Sequence, residues 1–167
     1  MRPRFGPRTI TAGVLVAGLL LLPACGGDDG GDTGNGDSGN GDSGGGAINV
    51  TLQEFAVSTD PGTAPAGSVT FDVSNTGPDD VHEFVVIKTD LGPTELPVDD
   101  DGAVLEDGEG MEVVDEIEDI PVGETPTLTV DLDAGAYVLI CNILQEEPDG
   151  TLEAHYSEGM RTGFTVE

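Results

Sequence analysis

Downstream of Cys25 the chain holds only two histidines, His82 and His155, one further cysteine, Cys141, and two methionines, Met111 and Met160. Four of these rare side chains run in the order His82, Cys141, His155, Met160, and the last three fall within the final 27 residues. Two imidazoles and one thiolate with a weak axial thioether suit copper that cycles between its two oxidation states, because soft sulfur favours Cu(I) and nitrogen favours Cu(II). Taken singly, each residue has an ordinary role: a lone histidine is a surface or hydrogen-bonded group, a lone methionine is core, and a lone cysteine is buried and inert. It is their conjunction that points to a metal centre, which needs one histidine from elsewhere in the fold and the other three ligands on one closing loop.

The elements that must position these residues are strands. From Ile48 onward, short runs rich in Val, Ile, Thr, Phe and Leu are separated by Gly, Pro, Asp and Asn, a pattern of strands and turns. The pattern predicts strands over 48–57, 68–74, 83–89, 127–132, 137–141 and 162–166. In Val69-Thr70-Phe71-Asp72-Val73 and Leu128-Thr129-Val130-Asp131-Leu132 the apolar residues alternate, so each strand buries one face and two sheets pack face to face. Phe84 to Ile87 is continuously apolar, as in a central strand covered on both sides. Between Thr94 and Glu124 lies a stretch crowded with acids, read as a solvated acidic insertion with a helical fragment near 111–120. Asp99, Asp101 and Gly102 hint at a calcium loop, but Gly110 occupies the twelfth position, where such a loop needs a bidentate glutamate.

His82-Glu83-Phe84-Val85-Val86 resembles the first-histidine strand of the small blue copper proteins, the cupredoxins. Tyr137 to Asn142, followed by His155-Tyr156 and Gly159-Met160, resembles their C-terminal copper loop. The resemblance spans about residues 48–167 and implies an all-β, cupredoxin-like Greek-key β-sandwich carrying an acidic insertion. It also implies one type 1 copper, with His82 as the upstream imidazole ligand, Cys141 as thiolate, His155 as the imidazole at the solvent edge and Met160 as axial thioether. Asn75, seven residues before His82, would brace the ligand loop. One departure is clear: thirteen residues separate Cys141 from His155, where the family has only a few. Pro148-Asp149-Gly150 near the middle is a turn signal, so the excursion is expected to run out and back.

The N-terminal third is organised differently. Arg2, Arg4 and Arg8 precede an apolar run over 10–22, and Leu22-Pro23-Ala24-Cys25 closes it, as in a signal peptide. The ending resembles the lipobox of bacterial lipoproteins and implies a leader over 1–25, acylated at Cys25. Multiple acyl chains anchor stably, each buried methylene contributing ~0.8 kcal/mol. Residues 26–46 contain no apolar side chain and only negative charge, so they form a disordered Gly/Asp tether about 25 Å long on average. The remaining residues, 47–167, make one cupredoxin domain. Beyond Cys25, Lys88 and Arg161 are the only bases against 33 acids, which leaves no cationic patch for nucleic acid. Such a surface favours a basic redox partner, for example a cytochrome, or reflects adaptation to salt.

A mononuclear site with four protein ligands has no open position for substrate, so the expected task is one-electron transfer rather than catalysis. The expected protein is a monomeric carrier, lipid-anchored at the cell envelope on the outer face of the cytoplasmic membrane or in a periplasm. The alternatives are a copper-capturing or delivery lipoprotein, or a metal-free cupredoxin-like binding module. Cys25→Ala is expected to release the protein from membranes or leave its leader uncleaved, which fractionation and mass measurement read directly. Normal processing and retention in the membrane pellet would refute acylation there.

Overall fold

The computed structural model describes residues 46–167. The leader over 1–25 with Cys25, and the tether up to residue 45, lie outside the described residues. Eleven strands and one short helix follow in chain order: β1 (Ile48–Gln53), β2 (Ala56–Asp60), β3 (Thr63–Ala64), β4 (Gly67–Asn75), β5 (His82–Thr89), β6 (Met111–Ile120), β7 (Thr127–Leu132), β8 (Gly135–Ile140), β9 (Leu144–Glu146), β10 (Leu152–Ala154), α1 (His155–Glu158) and β11 (Arg161–Val166).

They form two main sheets. One has the order β2-β1-β4-β7, the other β3-β11-β8-β5-β6, and β9 and β10 pair separately as a hairpin. The chain crosses between sheets from β4 to β5, from β6 to β7 and again from β7 to β8, as a Greek-key sandwich requires. Alternation sets the register. Ile48, Val50 and Leu52 of β1 stand opposite Phe71, Val73 and Asn75 of β4, so the inner face of this strand pair is buried along its length. Across the sandwich Phe71 meets Phe84 of β5 and Phe164 of β11, with ring centroids 5.3 and 5.5 Å apart. Such tilted and edge contacts add to the burial of each ring.

Strand β5 is covered on both sides, as its unbroken apolar run predicts. Phe84 and Val86 face the sandwich core, whereas Val85 and Ile87 face a second cluster containing Leu96, Val104, Val138, Ile140 and Tyr156. Leu96 and Val104 come from the acidic insertion, so the expectation of a solvated loop is corrected here. The segment covers the outer face of a sheet that would otherwise expose Val85, Ile87, Val138 and Ile140 to water.

Two further expectations are corrected. The predicted single strand over 48–57 is a hairpin, β1 and β2 pairing antiparallel from Gln53↔Ala56 to Asn49↔Asp60, with Glu54 and Phe55 at the turn. The predicted helical fragment over 111–120 is strand β6, paired along β5 from Met111↔Thr89 to Ile120↔His82. Register shifts between His82 and Phe84 and between Val86 and Ile87 break its two-residue period, leaving apolar residues at spacings that imitate a helix.

If Leu96 anchors the insertion, Leu96→Ala should cost about 2–5 kcal/mol in denaturant unfolding. A change below about 0.5 kcal/mol is what a solvated loop position would give.

Candidate metal centre

His82 is the first residue of β5, Cys141 follows the last residue of β8, and His155 opens α1. Because β5 and β8 are antiparallel neighbours with Val85 opposite Ile140, the start of one strand lies beside the end of the other. The sheet thus sets the distance between the first histidine and the thiol. Met160 precedes β11, whose Arg161 pairs with Ile140, and the Cys141 N–H donates to the Met160 carbonyl at 3.1 Å. His155 joins through the same segment, its carbonyl accepting from the Met160 N–H at 3.0 Å.

The thirteen-residue excursion runs out and back as expected. Leu144 pairs with Ala154 and Glu146 with Leu152, and the turn is closed by Gly150 N–H donating to the Glu147 carbonyl at 2.8 Å. The hairpin returns the chain so closely that the His155 N–H donates to the Ile143 carbonyl at 3.0 Å. His155 therefore sits next to the Cys141 end of the loop despite its distance in sequence. At the far side Gly159, with φ 135°, lets the chain pass against Phe55: a Cβ there would lie 2.9 Å from the Phe55 carbonyl oxygen.

The three donor atoms converge. His82 Nδ1 and His155 Nδ1 are 3.2 Å apart, and Cys141 Sγ lies 3.4 Å from the His155 nitrogen and 3.9 Å from that of His82. Atoms so spaced share a point in their plane about 2 Å from each, the scale of metal–imidazole and metal–thiolate bonds (~2.0–2.3 Å). The donor set fits a soft-leaning ion of the kind the sequence implies. Met160 is fully buried in the same apolar cluster as Cys141.

His82, Cys141, His155 and Met160 all have 0% of their surface exposed. The expectation that His155 stands at the solvent edge is corrected: its side chain is fully buried, the Phe55 ring meets it edge-on at 5.3 Å, and its N–H is tied to the Ile143 carbonyl. Neither Nε2 atom has a hydrogen-bond partner among the described residues. The nearest acid to His82 Nε2 is Glu54 Oε1, at 3.7 Å, too far for a hydrogen bond.

Burial dictates the protonation states. Desolvation pushes the Cys141 thiol up to about 12, against the N–H of Glu83, which donates to its sulfur at 3.4 Å. Burial likewise holds both imidazoles below their ordinary value: His82 is lowered further by its neighbour His155, while nearby carboxylates pull both the other way. Two neutral rings and a protonated thiol are thus the resting form at neutral pH, and metal binding must expel the thiol proton. Burial would raise the Glu54 carboxyl, but the N–H groups of Asp80 and Asp79, donating to Oε1 at 2.7 and 3.1 Å, help hold it below its usual range. Burial lifts Glu83 to about 7, although its Oε1 accepts from the Asn142 N–H at 2.7 Å.

Several supports surround the trio. Asn75 braces the loop before His82 as expected, donating to the carbonyls of Asp80 and Ile120 at 2.8 Å each and accepting from the Gly77 N–H at 2.8 Å. The insertion holds the other side. Asn142 accepts from the Val104 N–H at 2.6 Å and donates to the Val104 carbonyl at 3.0 Å, and Tyr156 and Ser157 donate to the carbonyls of Pro93 and Gly102. Sequence reasoning missed Glu54, Phe55 and Asn142 as parts of the site. For Asn142 the signal was its place beside Cys141; for Glu54 and Phe55 it was the interruption of strand pattern that makes them a turn.

No family model and no curated protein matches this chain. Among solved structures it is similar to dithionite-reduced auracyanin from Roseiflexus castenholzii, at 22% identity over 71% of this chain and 94% of that one, with a TM-score of 0.47. It is similar to auracyanin A, a "blue" copper protein from Chloroflexus aurantiacus, at 21% identity over 72% and 98% of the two chains, with a TM-score of 0.46. A third likeness is rusticyanin from Thiobacillus ferrooxidans, at 20% identity over 74% and 79%, with a TM-score of 0.43. The fold is cupredoxin-like. That conclusion stands on its own strand order, with β5 and β8 side by side and the Cys141-to-Met160 segment joining β8 to β11.

Asn75→Ala would leave the Ile120 carbonyl and the Gly77 N–H unpaired in buried surroundings, a loss expected to cost about 2–4 kcal/mol in chemical unfolding. A neutral result would mean that the loop before His82 is held by other contacts.

Proposed function

We propose that the domain binds one type 1 copper through His82, Cys141, His155 and Met160 and carries single electrons at the cell envelope. The observation that carries this reading is the triangle formed by His82 Nδ1, His155 Nδ1 and Cys141 Sγ, closed on every side by protein. Copper bound there would supply a one-electron couple, with the thiolate favouring Cu(I) and the imidazoles Cu(II). His82 and Cys141 are fixed by paired strands, which would limit their movement between redox states. His155 is held by the hairpin and by Phe55, and Met160, at the strand-bound end of the loop, would supply a soft thioether donor.

The four side chains leave no surface at which a substrate could reach the ion, so the reading assigns the protein no catalytic role of its own. The hydrogen-bonded hairpin favours a fixed cage over the relaxed one that capture and delivery of Cu(I) would use. The lipobox at Cys25 would keep the carrier at the membrane, and no helix among the described residues is long and apolar enough to cross one. The partner would be a redox protein with a basic patch. Glu146, Glu147, Asp149 and Glu153 of the hairpin would steer it, with an effect that fades as salt shortens the screening length to ~8–10 Å.

Copper-loaded protein is expected to be intensely coloured by thiolate-to-copper charge transfer, and Cys141→Ser to remain folded but lose the colour. Met160→Leu should keep the colour and raise the reduction potential, because loss of the axial donor stabilises the oxidised ion less. Retained colour in Cys141→Ser would refute the site, an unchanged potential would remove Met160 from it, and a colourless wild type that holds Cu(I) would favour delivery.

A further inference from the structure

A second cluster of candidate ligands touches the first. One ring nitrogen of His155 and one carboxylate oxygen each from Asp80 and Glu153 lie within 4.8 Å of one another. Asp80 and Glu153 are partly exposed, whereas His155 is wholly buried, with Nδ1 turned toward His82 and Cys141 and Nε2 left without a partner. The cluster thus spans the wall between solvent and the inner trio, and the imidazole is common to both groups.

The two carboxylates are held together without a protein cation. Asp80 Oδ1 accepts from the Gln145 side-chain amide at 3.0 Å, which pins the β9–β10 hairpin to the loop before His82. Glu147 and Glu158 add negative charge around Glu153. Of the bases among the described residues, Lys88 pairs with Asp133, and Arg161 lies over the Tyr156 ring and donates to the Tyr156 carbonyl. Two carboxylate oxygens and an imidazole nitrogen form a donor set that takes Cu(II) readily, while the inner set offers the sulfur that the outer one lacks.

We propose that Asp80, Glu153 and His155 form an outer cation site through which Cu(II) from solution is loaded into the buried His82–Cys141–His155 centre. This rests on the copper reading of the inner site. Asp80, Glu153 and a ring nitrogen of His155 capture the cation from water and then release it inward, where His155 Nδ1 takes it up. His82 and Cys141 then complete the inner set, and the thiol proton passes to solvent. The step is ligand exchange with no change of oxidation state. The four inner side chains have no exposed surface, and the outer group, which shares His155 with them, is where the donor atoms reach partly exposed residues.

The test uses full-length, metal-free protein mixed rapidly with Cu(II), reading the growth of the charge-transfer band. The Asp80→Asn/Glu153→Gln double variant is expected to load about tenfold or more slowly than wild type, with the same final spectrum and reduction potential. A control, Glu112→Gln/Asp131→Asn, removes the same charge from exposed strand positions and should load at a near wild-type rate. Equal slowing in both variants, or none in either, would overturn the port and leave general attraction by an acidic surface. The second measurement is Cu(II) binding to Cys141→Ser by calorimetry and electron paramagnetic resonance. One colourless, oxygen- and nitrogen-ligated ion is expected, and it should be lost when Asp80→Asn/Glu153→Gln is added. If Cys141→Ser binds nothing, or binds equally with and without the carboxylates, the port is wrong while a coloured wild type keeps the copper reading. A wild type that never colours overturns both.

Discussion

Two neutral imidazoles and a thiol, all without solvent exposure, face one another at one end of an apolar sandwich. Everything around them follows from the cost of that arrangement. A buried polar group without a partner costs about 1–3 kcal/mol, and among the described residues neither Nε2 atom has one. The protein tolerates the cost because each donor rests on an element stabilised elsewhere. His82 begins a strand whose next four residues after Glu83 are completely buried, Cys141 directly follows the neighbouring strand, and Met160 leads into the strand that pairs with it. A site built on loops alone would relax to satisfy its polar atoms locally, whereas paired strands keep the donors aimed at one point.

The chemistry was legible in the sequence because it rests on rare residue types, and the core strands because they alternate. Val69, Phe71 and Val73 announce their buried face with a two-residue period, and Phe84 to Ile87 announce double coverage. Strand β6 was illegible for a physical reason: its register against β5 shifts twice, so the residues turned inward no longer alternate. The break between β1 and β2 was missed because Glu54 and Phe55 carry none of the Gly, Pro or Asn chemistry that marks most turns. The burial of His155 depends on Phe55 and on the returning hairpin, contacts remote in sequence that local pattern cannot reveal.

The acidic insertion shows how composition can mislead about burial. Its charged side chains face water, and that is why it reads as solvated. Yet Leu96 and Val104 carry its energetic role by covering the outer face of β5 and β8, and its backbone is tied to the ligand segment through Asn142, Tyr156 and Ser157. One segment therefore both completes the second cluster and holds the two ends of the ligand loop. With only Lys88 and Arg161 as cations among the described residues, no ion-pair network could do that work, so apolar burial and backbone hydrogen bonds carry it instead.

The long Cys141-to-His155 segment poses the sharpest question of geometry, and magnitudes answer it. Lengthening a closed loop costs only about 0.6 kcal/mol per doubling, so thirteen intervening residues instead of a few cost on the order of 1 kcal/mol in closure entropy. The hairpin opposes that with its own strand pairs, from Ala154↔Leu144 to Leu152↔Glu146, and with a turn closed between Glu147 and Gly150. Each net hydrogen bond is worth about 0.5–1.5 kcal/mol, so a few suffice. With Ile143 bonded to His155, the ligand segment behaves as a short loop with an ordered hairpin inserted in it. The extra residues form an ordered hairpin, and they bring Glu153 beside Asp80 at a buried ring that borders both of these partly exposed acids and the thiol.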